Sequence, residues 1–207
     1  AIPTDETWKT ATGPYLSNNI YSGDIYDARL EITGWDGRCF DDSRWQNAQT
    51  VAGPSANLVS QQTPPVRVCE VVHAVEMKNF GDTLYVFDFG KNIAGVCNLI
   101  AIGPAGTRVT MKHGEFTYAD GRVNMSNVDI YYNPMPEREM QTDTYYMKGG
   151  CVETYTPSFT YHGFRYVEVA FSKRVKLTRE SVRAHFTHTD LERVGSFECS
   201  NELLNRI

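Results

Sequence analysis

The sequence predicts an all-β fold, a jelly-roll-like β-sandwich that ends in the start of a short C-terminal helix. Three observations carry this. Tyr and Phe are abundant, 12 and 10 among 207 residues, and β-branched residues are frequent, while Ala- and Leu-rich helical stretches are scarce. Short runs alternate apolar and polar residues with period two. Turn formers, 16 Gly and 9 Pro, punctuate those runs.

Residues 1–62 carry the turn signals TGP, SGD, GWDG and AGPSAN around the strand-like NIYSGDIYDARLEI. They read as the end of an N-terminal sandwich or as strands added to the main one. In FDDSRWQNA, Asp41, Asp42 and Ser43 are placed to cap one helical turn and bury Trp45. Pro64 and Pro65 force an extended path and mark a boundary or the start of an edge strand.

The main sandwich domain is assigned to residues 63–190. Its strands are expected in VRVCEVVHAV, TLYVFDFG, GVCNLIAIG, TRVTMKHGEF, DTYYMKG, VETYTPSFTY, FRYVEVAF and VKLTRESVRAHFTHT. GPAGT, the Asp120–Gly121 pair and KGGC read as hairpin turns. Residues 124–141 have neither period and read as a long surface loop.

The stretch FTYHGFRYVEVAF (159–171) poses the question of binding site or sheet interior. Period two sends Phe164, Tyr166 and Glu168 to one face and Arg165, Val167 and Val169 to the other. Arg165 then needs a partner, for which Asp88 is the candidate. His162, beside Gly163, is expected at a tight turn with its ring satisfied by backbone groups. Residues 191–207 read as a linker and a first helical turn. Ser200 is the expected N-cap, Glu202 follows it, and Leu203, Leu204 and Ile207 stand at helical spacing.

A net charge of −5, with 20 scattered basic residues, argues against nucleic acid and anionic membrane surfaces as partners. No apolar run reaches the roughly 20 residues that span a bilayer. The start, AIPTDETWKT, lacks the basic and apolar regions of a signal peptide and reads as cut, which leaves an upstream signal open. Cys39, Cys69, Cys97, Cys151 and Cys199 form no C-x-x-C pair. They read as buried free thiols, with one or two disulfides as the alternative.

Candidate chemistry is sparse. Asp41, Asp42, Asp88, Glu115, Asp120 and Glu168 are carboxylates of the type a glycosidase uses, but spacing selects no pair. In HFTHTD, His188 and Asp190 share a strand face, which is short of the three or four ligands a metal needs. No metal site and no cofactor is expected. Nucleophile-elbow, phosphate-loop, dinucleotide and zinc-protease motifs are absent from the sequence. Trp8, Trp35 and Trp45 are the candidates for stacking on a sugar ring, with Asp36 beside Trp35 in GWDG as a further contact, the alternative for the indoles being burial between sheets.

SGDIYDAR, GWDGRCFDDSRW, PPVRVCE, YVFDFGKNIAGV, MKHGEF, FTYHGFRYVEV and GSFECSNELLNRI follow one another in an order and spacing that resemble a known family. It is the non-catalytic N-terminal β-sandwich region of bacterial α-L-rhamnosidases of glycoside hydrolase family 78, matched from about residue 4 to the end. The resemblance implies a parent enzyme that hydrolyses terminal α-L-rhamnosides with inversion, using two carboxylates of a downstream (α/α)6 barrel. This chain then carries no catalytic residue and is inactive alone. Its partners are that barrel and rhamnose-containing glycans. Asp88, Tyr161, His162, Phe164, Arg165 and Tyr166 are expected to be sandwich core or barrel contact. Some family members also carry an upstream calcium-dependent rhamnose-binding module, for which residues 1–62 reveal no ligand set. The resemblance places the parent in the periplasm or outside the cell, although unpaired cysteines fit the cytoplasm as well. Two other readings stand beside it, a carbohydrate-binding module and a hydrolase using carboxylates that spacing does not pair.

Overall fold

The computed structural model describes residues 4–53, 59–131 and 133–206. Among them the strands are β1 (Lys9–Thr10), β2 (Tyr15–Asn19), β3 (Gly23–Asp27), β4 (Gln46–Asn47), β5 (Val66–His73), β6 (Glu76–Asn79), β7 (Leu84–Ala101), β8 (Arg108–Gly114), β9 (Phe116–Thr117), β10 (Val123–Asn124), β11 (Thr142–Tyr146), β12 (Glu153–Tyr155), β13 (His162–Phe171) and β14 (Val182–Thr189). Among the described residues, helical structure is limited to short 3₁₀ turns. The all-β, sandwich-like fold expected from composition and alternation is what forms.

Ten strands build one curled sheet in the order β2-β3-β11-β8-β13-β7-β14-β5, with β6 and β12 also pairing β7. β3 and β11 run parallel. The N-terminal pair β2–β3 is thereby continuous with the sheet. β5 lies at its other edge, in keeping with Pro64 and Pro65 just before it.

The two strands expected in TLYVFDFG and GVCNLIAIG are one, the 18-residue β7, which passes through Gly90 at φ 75°. Before that glycine β7 pairs with β6 and β13; after it, with the start of β13, with β14 and with β12. A Cβ at Gly95 would collide with the His185 carbonyl oxygen, so glycine is what lets β14 lie close there.

The main core gathers Phe87, Phe89, Leu99, Met111, Val167 and Val169, all nearly or fully buried. Each such side chain stabilises the fold by about 1.5–3 kcal/mol relative to exposure.

Only the Asp120–Gly121 signal closes a hairpin, joining β9 to β10. The turn in GPAGT connects β7 and β8, but β13 lies between those strands in the sheet. KGGC likewise connects β11 to β12, which pair with different neighbours. Glycine pairs specify a tight reversal, not which strand fills the adjacent place. Of the loop expected over 124–141, Asn124 belongs to β10 instead; the described residues from 125 onward are mainly turns, and Val123 and Met125 anchor the start in a second buried cluster.

The facing expected for 164–169 is corrected by a register shift between Phe164 and Tyr166. This β-bulge at Arg165 puts Phe164 on the same side as Val167 and Val169, in the main core. Tyr166 packs on the other side, with Val86, Val123 and Met125.

Near the C-terminus, a 3₁₀ turn at Leu204–Arg206 stands where a helix was expected. Its cap is Asn201, not Ser200: the Asn201 side chain accepts from the backbone N–H groups of Leu203 and Leu204 at 3.0 and 3.4 Å. Ile207 and residues 54–58 of AGPSAN lie outside the described residues. The cysteines are free thiols, but only Cys97 is buried. Cys39 sits in a turn, Cys69 on the edge strand β5 and Cys151 just after a glycine turn, positions that the core does not reach.

Candidate functional site

The 31–45 region is made of turns, and those turns bring two of the sugar-stacking candidates, Trp35 and Trp45, together. Ser43 N–H donates to the Asp41 side chain at 3.0 Å, and Trp45 N–H to the Asp42 carbonyl at 2.9 Å. The chain then enters β4, so the capping expected of Asp41 and Asp42 produces a turn and not a helical turn. Trp45 is half-buried, edge-on to Phe40 at 5.4 Å. Trp35 is 62% exposed.

Trp35, Asp36 and Trp45 line one cleft of about 800 Å³ together with Tyr15, Tyr26 and Glu31. Polar groups at its wall are already ordered: Lys148 Nζ pairs with Glu31 at 2.6 Å, and the Tyr26 hydroxyl donates to Glu31 at 3.0 Å. Burial, and then the Glu31 carboxylate, push the Tyr26 hydroxyl well above its ordinary pKa, so it stays a donor.

The second group of residues divides between inside and outside. His162 and Phe164 are fully buried, Tyr166 is half-buried, and Tyr161 is exposed. Arg165 meets Asp88 as the sequence suggested, Nε to Oδ1 at 2.8 Å and Nη2 to Oδ2 at 2.9 Å. Gly90 N–H also donates to Asp88, at 2.7 Å. The Arg165 hydrogen bond outweighs partial burial and holds the Asp88 carboxyl below its usual range.

His162 is not at a turn and its ring does not bond to backbone. It begins β13, and its Nε2–H donates to Asp143 Oδ2 at 3.0 Å inside the core. Asp24 N–H donates to the other Asp143 oxygen at 2.8 Å. Burial alone would raise the Asp143 carboxyl, yet its hydrogen bonds keep it below the ordinary carboxylate value. His113 packs its ring 4.4 Å from that of His162 and donates through Nδ1–H to the Gln141 carbonyl at 3.1 Å.

His113, Asp143 and His162 have the donor chemistry of a metal site and lie within 4.8 Å of one another. Their proton arrangement argues for a hydrogen-bonded set instead. As arranged, each ring N–H has an acceptor, and the nitrogens without partners, His113 Nε2 and His162 Nδ1, are lone pairs. An ion on the other two nitrogens would move both protons to buried sites with no acceptor, whereas metal-bound imidazoles need that second partner. At the opposite edge, His188 and Asp190 do not converge. His188 Nδ1 donates to the Thr189 carbonyl at 2.8 Å, and Asp190 pairs with Arg67 at 3.4 Å.

Sequence reasoning missed His113 and Asp143, which look like ordinary strand residues until β11, β8 and β13 come side by side. It also missed the partner of Glu168. That carboxylate is buried and takes Arg122 Nη2 at 2.6 Å, Arg122 Nε at 3.2 Å and Val123 N–H at 3.2 Å. The Asp-Gly turn that places Arg122 was the available signal.

Residues 78–188 match the profile described as bacterial alpha-L-rhamnosidase concanavalin-like domain, and residues 1–70 match the alpha-L-rhamnosidase N-terminal domain. An alpha-L-rhamnosidase of Formosa agariphila is 34% identical over 99% of this chain, and one of Streptomyces avermitilis is 34% identical over all of it. The chain spans about a fifth of the length of those curated relatives, 21% and 19%. The structure of alpha-L-rhamnosidase from Dictyoglumus thermophilum superposes with a TM-score of 0.88 at 39% identity, covering 100% of this chain and 22% of that one. The Streptomyces avermitilis enzyme complexed with L-rhamnose superposes with a TM-score of 0.83 at 34% identity, covering 99% of this chain and 19% of that one.

Proposed function

This chain belongs to the alpha-L-rhamnosidase family, and from that premise we propose that it is a non-catalytic module that docks on and supports a downstream (α/α)6 barrel. Hydrolysis of terminal α-L-rhamnosides then resides in two carboxylates of that barrel. One observation carries this reading: the buried and half-buried carboxylates Asp88, Asp143, Glu153 and Glu168 are engaged by the protein itself. Asp88 is taken by Arg165, Asp143 by His162, Glu168 by Arg122, and Glu153 by the Tyr145 hydroxyl at 2.7 Å and two backbone N–H groups. An inverting glycosidase needs a pair about 6.5–9.5 Å apart, facing substrate and water.

In this reading residues 63–190 are the main sandwich, 1–62 extend it on the N-terminal side, and 191–207 lead toward the barrel. The surface Asp88–Arg165 pair is the docking contact, and His162 and Phe164 are core behind it. Calorimetry of the full-length enzyme tests this. A single cooperative transition is expected, splitting into two in Arg165→Ala; an unsplit transition in the variant contradicts the docking role.

A second reading has its own observation. Trp35, Asp36 and Trp45 share a cleft with an exposed indole and ordered polar groups, a composition suited to rhamnose or a related sugar. Titration with L-rhamnose, lost in Trp35→Ala, is the expected result; no saturable heat contradicts it.

A further inference from the structure

A second groove, of about 430 Å³, lies where the β2–β3 turn, the 125–141 loop and the start of β13 meet. Its volume is within the roughly 300–1,000 Å³ typical of small-molecule pockets. Tyr21, Tyr131 and Tyr161 line it and are exposed, at 56%, 66% and 55%. Isolated exposed aromatics are ordinary, but three tyrosines around one concavity form a set of flat apolar faces with polar tips.

The polar groups among them are fixed in advance. Glu115 Oε1 accepts from Asn92 Nδ2 at 2.6 Å, and Oε2 accepts from Asn127 Nδ2 at 2.7 Å. Its remaining lone pairs are therefore held in direction, and these partners are neutral amides. Gln141, in the left-handed region at φ 50°, is held by Gly163 N–H on its side-chain oxygen at 2.9 Å and by its own N–H to the Tyr21 carbonyl at 2.7 Å. Backbone strain of this kind persists only where surrounding structure enforces it.

We propose that this groove binds a single neutral pyranoside ring, with its C–H face on the tyrosines and its hydroxyls donating to Glu115. A carboxylate accepting from a hydroxyl makes a short, strong hydrogen bond and needs no charged ligand. The Gln141 amide, whose oxygen accepts from Gly163 N–H at 2.9 Å and whose nitrogen donates to the His113 carbonyl at 3.3 Å, keeps one N–H and one lone pair for a sugar hydroxyl. This goes beyond the docking role and is separate from the Trp35 cleft; only the expected preference for a rhamnoside rests on the family reading.

The test is calorimetric titration of the chain with methyl α-L-rhamnopyranoside and, separately, methyl α-D-glucopyranoside. Saturable heat with a Kd on the order of 1 mM is expected for one ring. Tyr161→Ala and Glu115→Gln each weaken that site at least about ten-fold, and Val152→Ser, on a distant exposed loop, leaves it unchanged. Equal melting temperatures of the variants show that folding is not the cause. Uptake of the glucoside alone supports the groove while counting against the family-based sugar preference. No saturable heat with either sugar, or heat indifferent to both groove substitutions, overturns the proposal. So does a silent titration accompanied by a split melting transition in full-length Tyr161→Ala, which would make the groove a docking contact.

Discussion

Arg165 and Asp88 are joined by a two-pronged ion pair at the point where β13 bulges against β7, with contacts of 2.8 and 2.9 Å. The bulge turns Arg165 away from the alternation of its strand and lets Phe164 stay with the core. Both partners retain solvent, 40% for the Arg165 side chain and 16% for Asp88, so the pair is worth about 1 kcal/mol. Arg165→Ala is expected to lower stability by that amount near neutral pH. The Asp88 pKa is depressed on folding, so the contribution is present above the unfolded carboxylate value and fades as pH falls through the folded one. Denaturant curves of wild type and variant should converge in acid; a constant gap contradicts the assignment.

The Glu168–Arg122 pair should matter more. Glu168 is buried, so Arg122→Ala leaves a carboxylate inside the protein with, among the described residues, only the Val123 N–H to hold it. A loss of about 2–3 kcal/mol is expected, larger than for Arg165→Ala. Urea midpoints compare the two directly, and the reverse order would contradict the burial argument.

His113 links the buried set to pH. Burial first, and then the neighbouring imidazole of His162, lower its pKa from 6.5 to about 3, opposed only in part by Asp143 and by backbone carbonyls. The folded state therefore refuses a proton that the unfolded state accepts below its ordinary value. Stability should fall on acidification between about pH 6.5 and 3, by up to about 1.4 kcal/mol per pH unit from this group. Asp24, Asp143 and His162 share the environment, so the variant comparison isolates His113. His113→Gln is expected to be less stable at pH 7 and to have a flatter profile. A parallel profile would show that folding does not shift the protonation of His113.

Two glycines make opposite predictions. Gly95→Ala places a Cβ into the His185 carbonyl oxygen, backbone against backbone, and should cost about 3 kcal/mol or prevent folding. A Cβ at Gly163 meets nothing within 4 Å, so Gly163→Ala should change stability by less than about 0.5 kcal/mol. Melting temperatures distinguish them.

The contrast at Gly163 shows how far the sequence could be read. A His-Gly pair between aromatics looks like a turn, yet β13 runs straight through it because His162 finds Asp143 across the sheet. Asp143 comes from β11, 19 residues earlier, and no local pattern announces that meeting. Alternation made the all-β fold legible, and the Arg165–Asp88 pair followed from unmatched charges on two aromatic strands. The facing of Phe164 did not follow, since a bulge inserts one residue and shifts the phase without a composition signal. The same limit applied to hairpins: Gly121 closes one, while the turns in GPAGT and KGGC serve strands that the sheet separates. Trp35, Asp36 and Trp45 were legible as a group because turn residues place them within a short span. The tyrosine groove was not, because its walls come from three distant segments.

The proposal that catalysis resides outside this chain is tested most directly by hydrolysis of an aryl α-L-rhamnoside by the purified chain at high protein concentration. The expected result is release of phenol no faster than in buffer. Turnover that survives purification and disappears on substitution of a single carboxylate, such as Glu115→Gln, would contradict it.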